Sequence, residues 1–216
     1  MFASKTVLSF FPSFVWVHDL AVSDYGPMNE RLHGWLSAMR RDSSAYSAGR
    51  TWQTDTDLQN REEMAEIVRF VIGAADGVLD FLGIEKSPMF VSGAWANFGP
   101  PGTSHHEHSH PNNFLSAVYY LRAPKGGNTI NFLDPRPQAH VIAPRVARPS
   151  TNTASLVTLD IAPGRLVLFP AWLRHSVDTN KSEEERLSIA FNLMFEDYGR
   201  VQSRPRFKGN LHEKRR

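Results

Sequence analysis

Hydrophobic and polar positions along this chain follow two different periods, and the change falls near residue 88. Before it the period is helical. Met28, Leu32, Trp35, Leu36 and Met39 recur every three or four residues, which predicts a short amphipathic helix over roughly 28–41. A longer stripe, Met64, Ile67, Val68, Val71, Ala75, Val78, Leu79 and Leu82, predicts a second helix with one buried face, ending near Gly83. Asn60 followed three residues later by Glu63 has the form of a capping box for its start. Residues 42–58 are polar and turn-rich and read as a surface loop. Residues 7–17 read as an extended, aromatic-rich segment, a strand near the start of the domain. That run is broken by Ser9, Pro12 and Ser13 and is too short for a membrane span. It also lacks the small-residue cleavage site of a signal peptide.

After Pro88 the period changes. Short β-rich runs are separated by Pro, Gly and Asn: Met89–Phe98, Asn113–Leu121, Asn128–Leu133, Ala139–Ala143, Ser155–Ile161, Arg165–Phe169 and Leu187–Phe195. Strands at this spacing predict a β-sandwich or barrel. No Gly-rich phosphate loop opens a helix and no βαβ alternation is visible, which argues against a nucleotide-binding fold.

Composition narrows the chemistry. The chain of 216 residues fits one domain, expected over 1–203, with helical support at 28–83 and a barrel core at 89–195. It has no cysteine, which excludes a disulfide framework, a thiolate metal site and a cysteine nucleophile. The net charge is +2, but residues 204–216 hold six basic side chains and one acid, so the tail is +5 and the remainder −3. Such a tail can hold phosphates. No aromatic-studded basic face accompanies it, so a solvated terminus is expected and nucleic acid is not the expected partner. A cytoplasmic protein is expected, with no membrane partner. The oligomeric state is not readable, a homodimer being one option.

The strongest chemical signal is a histidine run. Four of the nine histidines, His105, His106, His108 and His110, fall within six residues in TSHHEHSHP. Imidazole is the commonest neutral metal ligand. On a strand, alternate residues share a face, so 106, 108 and 110 would project together and 105, 107 and 109 oppositely. His108 and His110 are the favoured pair, because Pro111 and the turn residues after it place them at a strand end. His106 and Glu107 are alternatives for either place. A third ligand from far along the chain is His175, in GRLVLFPAWLRHSV, where an apolar strand runs into a turn. Eleven residues on, Arg186 opens RLSIAFN. Leu187, Ile189, Phe191 and Leu193 form an apolar face; Arg186, Ser188, Ala190 and Asn192 form the other. A guanidinium inside a barrel demands an anionic partner, and its planar fork matches a carboxylate.

Three blocks then resemble the iron(II)- and 2-oxoglutarate-dependent oxygenases, nearest to a bacterial and phage branch related to the prolyl hydroxylases. They are HSHPNNFLSAVYYL, NFLDPRP, and PGRLVLFPAWLRHSV followed by ERLSIAFN, in the family's order. The resemblance implies a mainly β fold with supporting helices, the double-stranded β-helix or jelly-roll, with the helices outside the major sheet. It implies Fe(II) on His108 and His175, and 2-oxoglutarate held by Arg186, Ser188 and Tyr120. Asn97 and Asn192 are further candidates for hydrogen bonds to the cosubstrate or its surroundings. Trp95, Phe98, Phe132, Phe169 and Trp172 are expected walls, and Arg136 is expected at the mouth. The family's usual middle ligand is a carboxylate, in H-x-D. Here His110 stands there, so the third donor is His110, Asp134 from the Asp-Pro-Arg turn, or Glu107 from a distorted strand. Strand alternation favours His110. The implied activity couples 2-oxoglutarate decarboxylation to hydroxylation of a small-molecule or peptide substrate. The competing readings are a cupin-type three-histidine metalloenzyme without 2-oxoglutarate and a non-enzymatic metal- or small-acid-binding barrel.

Overall fold

A computed structural model describes residues 2–43, 49–142 and 144–198. In chain order the elements are β1 (Trp16–Asp19), α1 (Val22–Arg41), β2 (Trp52–Gln53), α2 (Ala65–Leu82), β3 (Met89–Gly99) and β4 (His105–His108), then β5 (Leu115–Arg122), β6 (Thr129–Leu133), β7 (Leu156–Asp160), β8 (Arg165–Pro170), β9 (His175–Val177) and β10 (Arg186–Phe195). Two sheets result, one in the order β1-β8-β5-β10-β3-β2 and a smaller one in the order β4-β9-β6-β7. Every pairing between these strands is antiparallel. They form the jelly-roll expected for the oxygenase family, a double-stranded β-helix flanked by two helices.

Period-two patterning on the central strands separates two cores. The outer face of the larger sheet packs on the helices, joining Leu187, Ile189, Phe191 and Leu193 of β10 to Leu36 of α1 and to Ile67, Val71, Val78 and Leu79 of α2. A smaller core lies between the sheets, built from Ile130, Phe132, Ile161, Val167, Phe169 and Leu173. β10 runs between β3 and β5, so Ser188 stands opposite Asn97 on one side and Tyr120 on the other. That row of three polar side chains, with Arg186 at the head of β10, is the floor of the site described below.

Several local expectations change. α1 begins at Val22, six residues ahead of the expected start, and carries Pro27 inside it. The capping box does not form. Residues 58–60 and 62–64 make two 3₁₀ turns, and α2 starts behind Met64 with no side-chain cap. Gly83 does end α2, at φ 65°, the left-handed conformation that glycine adopts without steric cost. The segment read as a strand over 7–17 is strand only from Trp16, and Val7, Leu8, Phe10 and Phe11 are exposed. The loop over 42–58 contains β2. The run Ala139–Ala143 is not a strand: Pro137–His140 is a 3₁₀ turn started by Pro137, and residue 143 lies outside the described residues. Residues 139–142 pair with no strand among the described residues, β6 being paired with β7 and β9. The basic tail 204–216 lies outside the described residues. No described helix is long and apolar enough to cross a membrane.

Candidate metal centre

β4 and β9 pair so that His108 stands opposite His175. His110 reaches the same point by another route. β4 ends at His108, and the backbone N–H of His110 donates to the carbonyl of Ala171 at 2.9 Å. Simple strand alternation therefore does not explain its position; the anchored bend after the strand does. The ligand-type nitrogens of the three rings lie within 4.8 Å of one another. Ring centroids are 4.3 Å apart for 108–175, 5.0 Å for 108–110 and 5.2 Å for 110–175.

Alternation fails a second time at the other end of β4. His105 opposes Val177 and His108 opposes His175, so three steps on β4 match two on β9, with a register shift between them. That β-bulge re-aims one side chain. His105, expected on the outer side, lines the same cavity as His108. The other contenders for the middle place lie elsewhere. His106 is exposed, Glu107 is ion-paired to Arg174, and Asp134 accepts from Arg136 Nε at 2.9 Å and Nη2 at 2.7 Å.

The rings are set for ligation. His108 Nδ1 lies 2.7 Å from the carbonyl of His106, and His175 Nδ1 lies 3.0 Å from that of Leu173. A carbonyl only accepts, so Nδ1 carries the hydrogen and Nε2 keeps its lone pair. Burial above all, with His108 beside it, lowers His110 to about 4. Burial likewise lowers His175 to about 4, against the opposing hydrogen bond to Leu173. Both are neutral at physiological pH, the form that binds a metal.

The triad sits in a cavity of about 530 Å³, mouth included. Arg186, whose side chain is buried, lines the same cavity. Its Nη1 donates to the Gly127 carbonyl at 3.3 Å, while Nη2 has no partner. The hydroxyl of Tyr120 and the Oδ1 of Asn97 are also buried without partners. Burial lowers the Arg186 affinity for its proton and raises that of the Tyr120 phenol above its ordinary value. Ser188 completes the group. A Cβ on Gly99 would lie 3.1 Å from Arg186 Nη2, so glycine there leaves the fork its space. Among the described lining residues there is no carboxylate. Asn192 lies behind this lining: its Oδ1 accepts from Ser116 Oγ at 2.9 Å, and Ser116 faces the cavity.

Trp95 and Phe169 wall the cavity, with Phe132 edge-on behind Phe169 at 5.1 Å. Phe98 does not, because alternation from Trp95 and Asn97 turns it to the helix side, where it packs on Trp52. Trp172 projects outward from its turn and is 55% exposed. Arg136, at the surface, is occupied by Asp134. Sequence reasoning passed over Asn180. Its side chain is buried, donates to the carbonyls of Gly99 at 3.0 Å and Glu184 at 2.8 Å, and accepts from Ser182. It thus fixes the two glycines that border Arg186, since Gly127 also packs on it. A polar residue in a turn-rich stretch carries no signal that distinguishes this role.

The donor set tests what could be held here. Three imidazole nitrogens suit iron, nickel, copper or zinc. A buried guanidinium flanked by two hydroxyls and lacking an acid suits a carboxylate. One jelly-roll cavity therefore holds both a candidate metal triad and a candidate anion cradle. Residues 93–192 match the family described as "Putative 2OG-Fe(II) oxygenase". Among solved structures, the non-heme alpha ketoglutarate dependent epimerase SnoN from nogalamycin biosynthesis is similar at 16% identity and TM-score 0.62, covering 85% of this chain and 79% of that one. HygX from Streptomyces hygroscopicus, solved with nickel and 2-oxoglutarate, is similar at 13% identity and TM-score 0.59, covering 85% and 83%. A Pseudomonas putida prolyl-4-hydroxylase is similar at 14% identity and TM-score 0.55, covering 84% and 93%. At these identities the likeness is one of fold. No curated protein sequence matches the chain.

Proposed function

We propose that this protein is an iron(II)- and 2-oxoglutarate-dependent oxygenase that hydroxylates a small molecule or a peptide side chain. One observation carries the reading: three imidazoles converge in a cavity whose lining also holds a buried guanidinium with an unpaired Nη2. His108, His110 and His175 are the proposed iron ligands. Arg186, Ser188 and Tyr120 are the proposed holders of the distal carboxylate of the cosubstrate, with the Asn97 Nδ2 group a further hydrogen-bond donor in the same row. Asn192 acts through Ser116, keeping that hydroxyl oriented. Iron(II) and 2-oxoglutarate, when bound, supply the activation of dioxygen and the electrons it consumes. The chain supplies orientation and dryness. Its acceptor-free fork fixes the diacid, its carbonyl-locked imidazoles fix the metal, and Trp95, Val118, Ile130 and Phe169 keep water from the reacting face. Proteins of similar fold include HygX with hygromycin B bound and a prolyl-4-hydroxylase.

The all-histidine donor set favours one second reading, a cupin-type metalloenzyme that uses no 2-oxo acid. Iron-dependent release of succinate from 2-oxoglutarate separates the two. The oxygenase reading expects succinate that disappears when iron is withheld. Tight iron binding with no 2-oxoglutarate affinity and no succinate supports the cupin reading and contradicts ours.

A further inference from the structure

His105 is the one imidazole in the cavity that the proposed chemistry does not use. It stands outside the cluster of three rings that share a metal-sized space. Regular pairing would have sent it to the outer side of β4; the bulge brings it in, beside Val177, another lining residue. Its ring has no hydrogen-bond partner among the described residues. The segment that delivers it passes close to Arg186. Thr103, two residues earlier, would meet a Cβ on Gly99 at 3.3 Å, and Arg186 Nη2 would meet the same atom at 3.1 Å. That segment is held in place: Thr103 Oγ1 donates to the Pro100 carbonyl at 2.7 Å, and the Asn180 N–H donates to the Thr103 carbonyl at 2.8 Å.

Imidazole and guanidinium are a poor pair by themselves. A guanidinium has no acceptor, and burial with a cation alongside depresses the protonated form of His105. A neutral imidazole still offers one N–H. What both groups can bind at once is an acceptor-only anion between them. We infer that His105 is a cosubstrate-binding residue whose ring N–H joins Arg186 and Tyr120 on the distal carboxylate of the 2-oxo diacid. The inference rests on the reading of Arg186 as a carboxylate clamp, and adds a donor from β4, on the sheet opposite.

The test is calorimetric titration of 2-oxoglutarate into full-length protein loaded with nickel, with metal content measured on each sample. His105→Phe keeps a ring and removes the donor; it is expected to weaken binding by roughly ten- to a hundredfold, the size of a hydrogen bond to a charged group. His105→Gln restores a donor and is expected to recover most of that loss. Metal content is expected to match the parent in both. If His105→Phe binds within about twofold of the parent while Arg186→Ala abolishes binding, the role of His105 is overturned and the clamp stands. If Arg186→Ala binds as the parent does, or the parent does not bind, the clamp falls and this inference with it. Loss of metal in both His105 variants would assign the ring to the metal site instead and overturn the proposal.

Discussion

The two faces of β10 share one backbone and follow opposite rules. On the outer face Leu187, Ile189, Phe191 and Leu193 are fully buried against helices and neighbouring strands. On the inner face Arg186 and Ser188 are nearly as buried, yet the guanidinium keeps an unpaired nitrogen, and Tyr120 and Asn97 beside them keep unpaired oxygens. Burying an unsatisfied polar atom costs about 1–3 kcal/mol, more when charged. The outer face therefore stabilises the fold, and the inner face lowers its stability until something anionic arrives. The difference indicates a candidate ligand: the Arg186 Nη2 and Tyr120 hydroxyl donors left unpaired in a closed place call for an acceptor.

The comparison can be broken from either side. The largest effect is expected at the metal end. His175→Ala removes one of three donors, and metal affinity should fall by more than the ten- to a hundredfold typical of residues that only orient a ligand. Metal analysis after dialysis reads this, and retention near one ion per chain would count against the triad. On the outer face, Ile189→Ala should cost about 2–5 kcal/mol in chemical denaturation, as core truncations do, with metal content of the folded protein unchanged. The inner face should respond in the opposite way. Arg186→Met should remove 2-oxoglutarate binding while leaving the ligand-free fold as stable as before or more so by about 1–2 kcal/mol, because a buried charge without an ion-pair partner is replaced by an apolar chain of similar length. A loss of stability as large as that of Ile189→Ala would show that the inner face is structural.

A smaller effect is expected from pH. Unfolded imidazoles take up protons near 6.5, whereas His105, His110 and His175 in the metal-free fold do so at about 4. The unfolded chain binds more protons between these values. Stability is therefore complete above about pH 6.5 and is lost progressively as pH falls towards 4. Urea midpoints of metal-free protein between pH 7 and 5 test the sign, and a midpoint that rises on acidification contradicts it. The smallest change is Asn192→Ala, which frees Ser116 without touching the cavity directly; a loss of under about tenfold in turnover is expected.

Much of this was readable without coordinates, for reasons that differ by residue. The apolar stripe of α2 and the runs that became β3, β5, β8 and β10 follow directly from periodicity, because burial on one face imposes it. His108 and His175 could be picked out because imidazoles at a strand end and behind an apolar strand are uncommon. His110 was named on alternation, although it arrives through a bend tied to Ala171. His105 was placed on the wrong side, since a β-bulge leaves no mark in the order of residues when the extra position is itself polar. Phe98 and Trp172 show the same limit: an aromatic residue near a site in sequence can face the other core or solvent. The start of α1 lies ahead of its apolar stripe, because the first turns, with Gly26 and Pro27, carry no apolar repeat and are still helical.

The most direct test is a crystal structure of the protein grown without oxygen in iron(II) and 2-oxoglutarate. The account predicts one metal ion bonded to the Nε2 atoms of His108 and His175 and to His110, with the distal carboxylate of the diacid on Arg186. A metal held by Glu107 or Asp134, or a diacid bound away from Arg186, would contradict it.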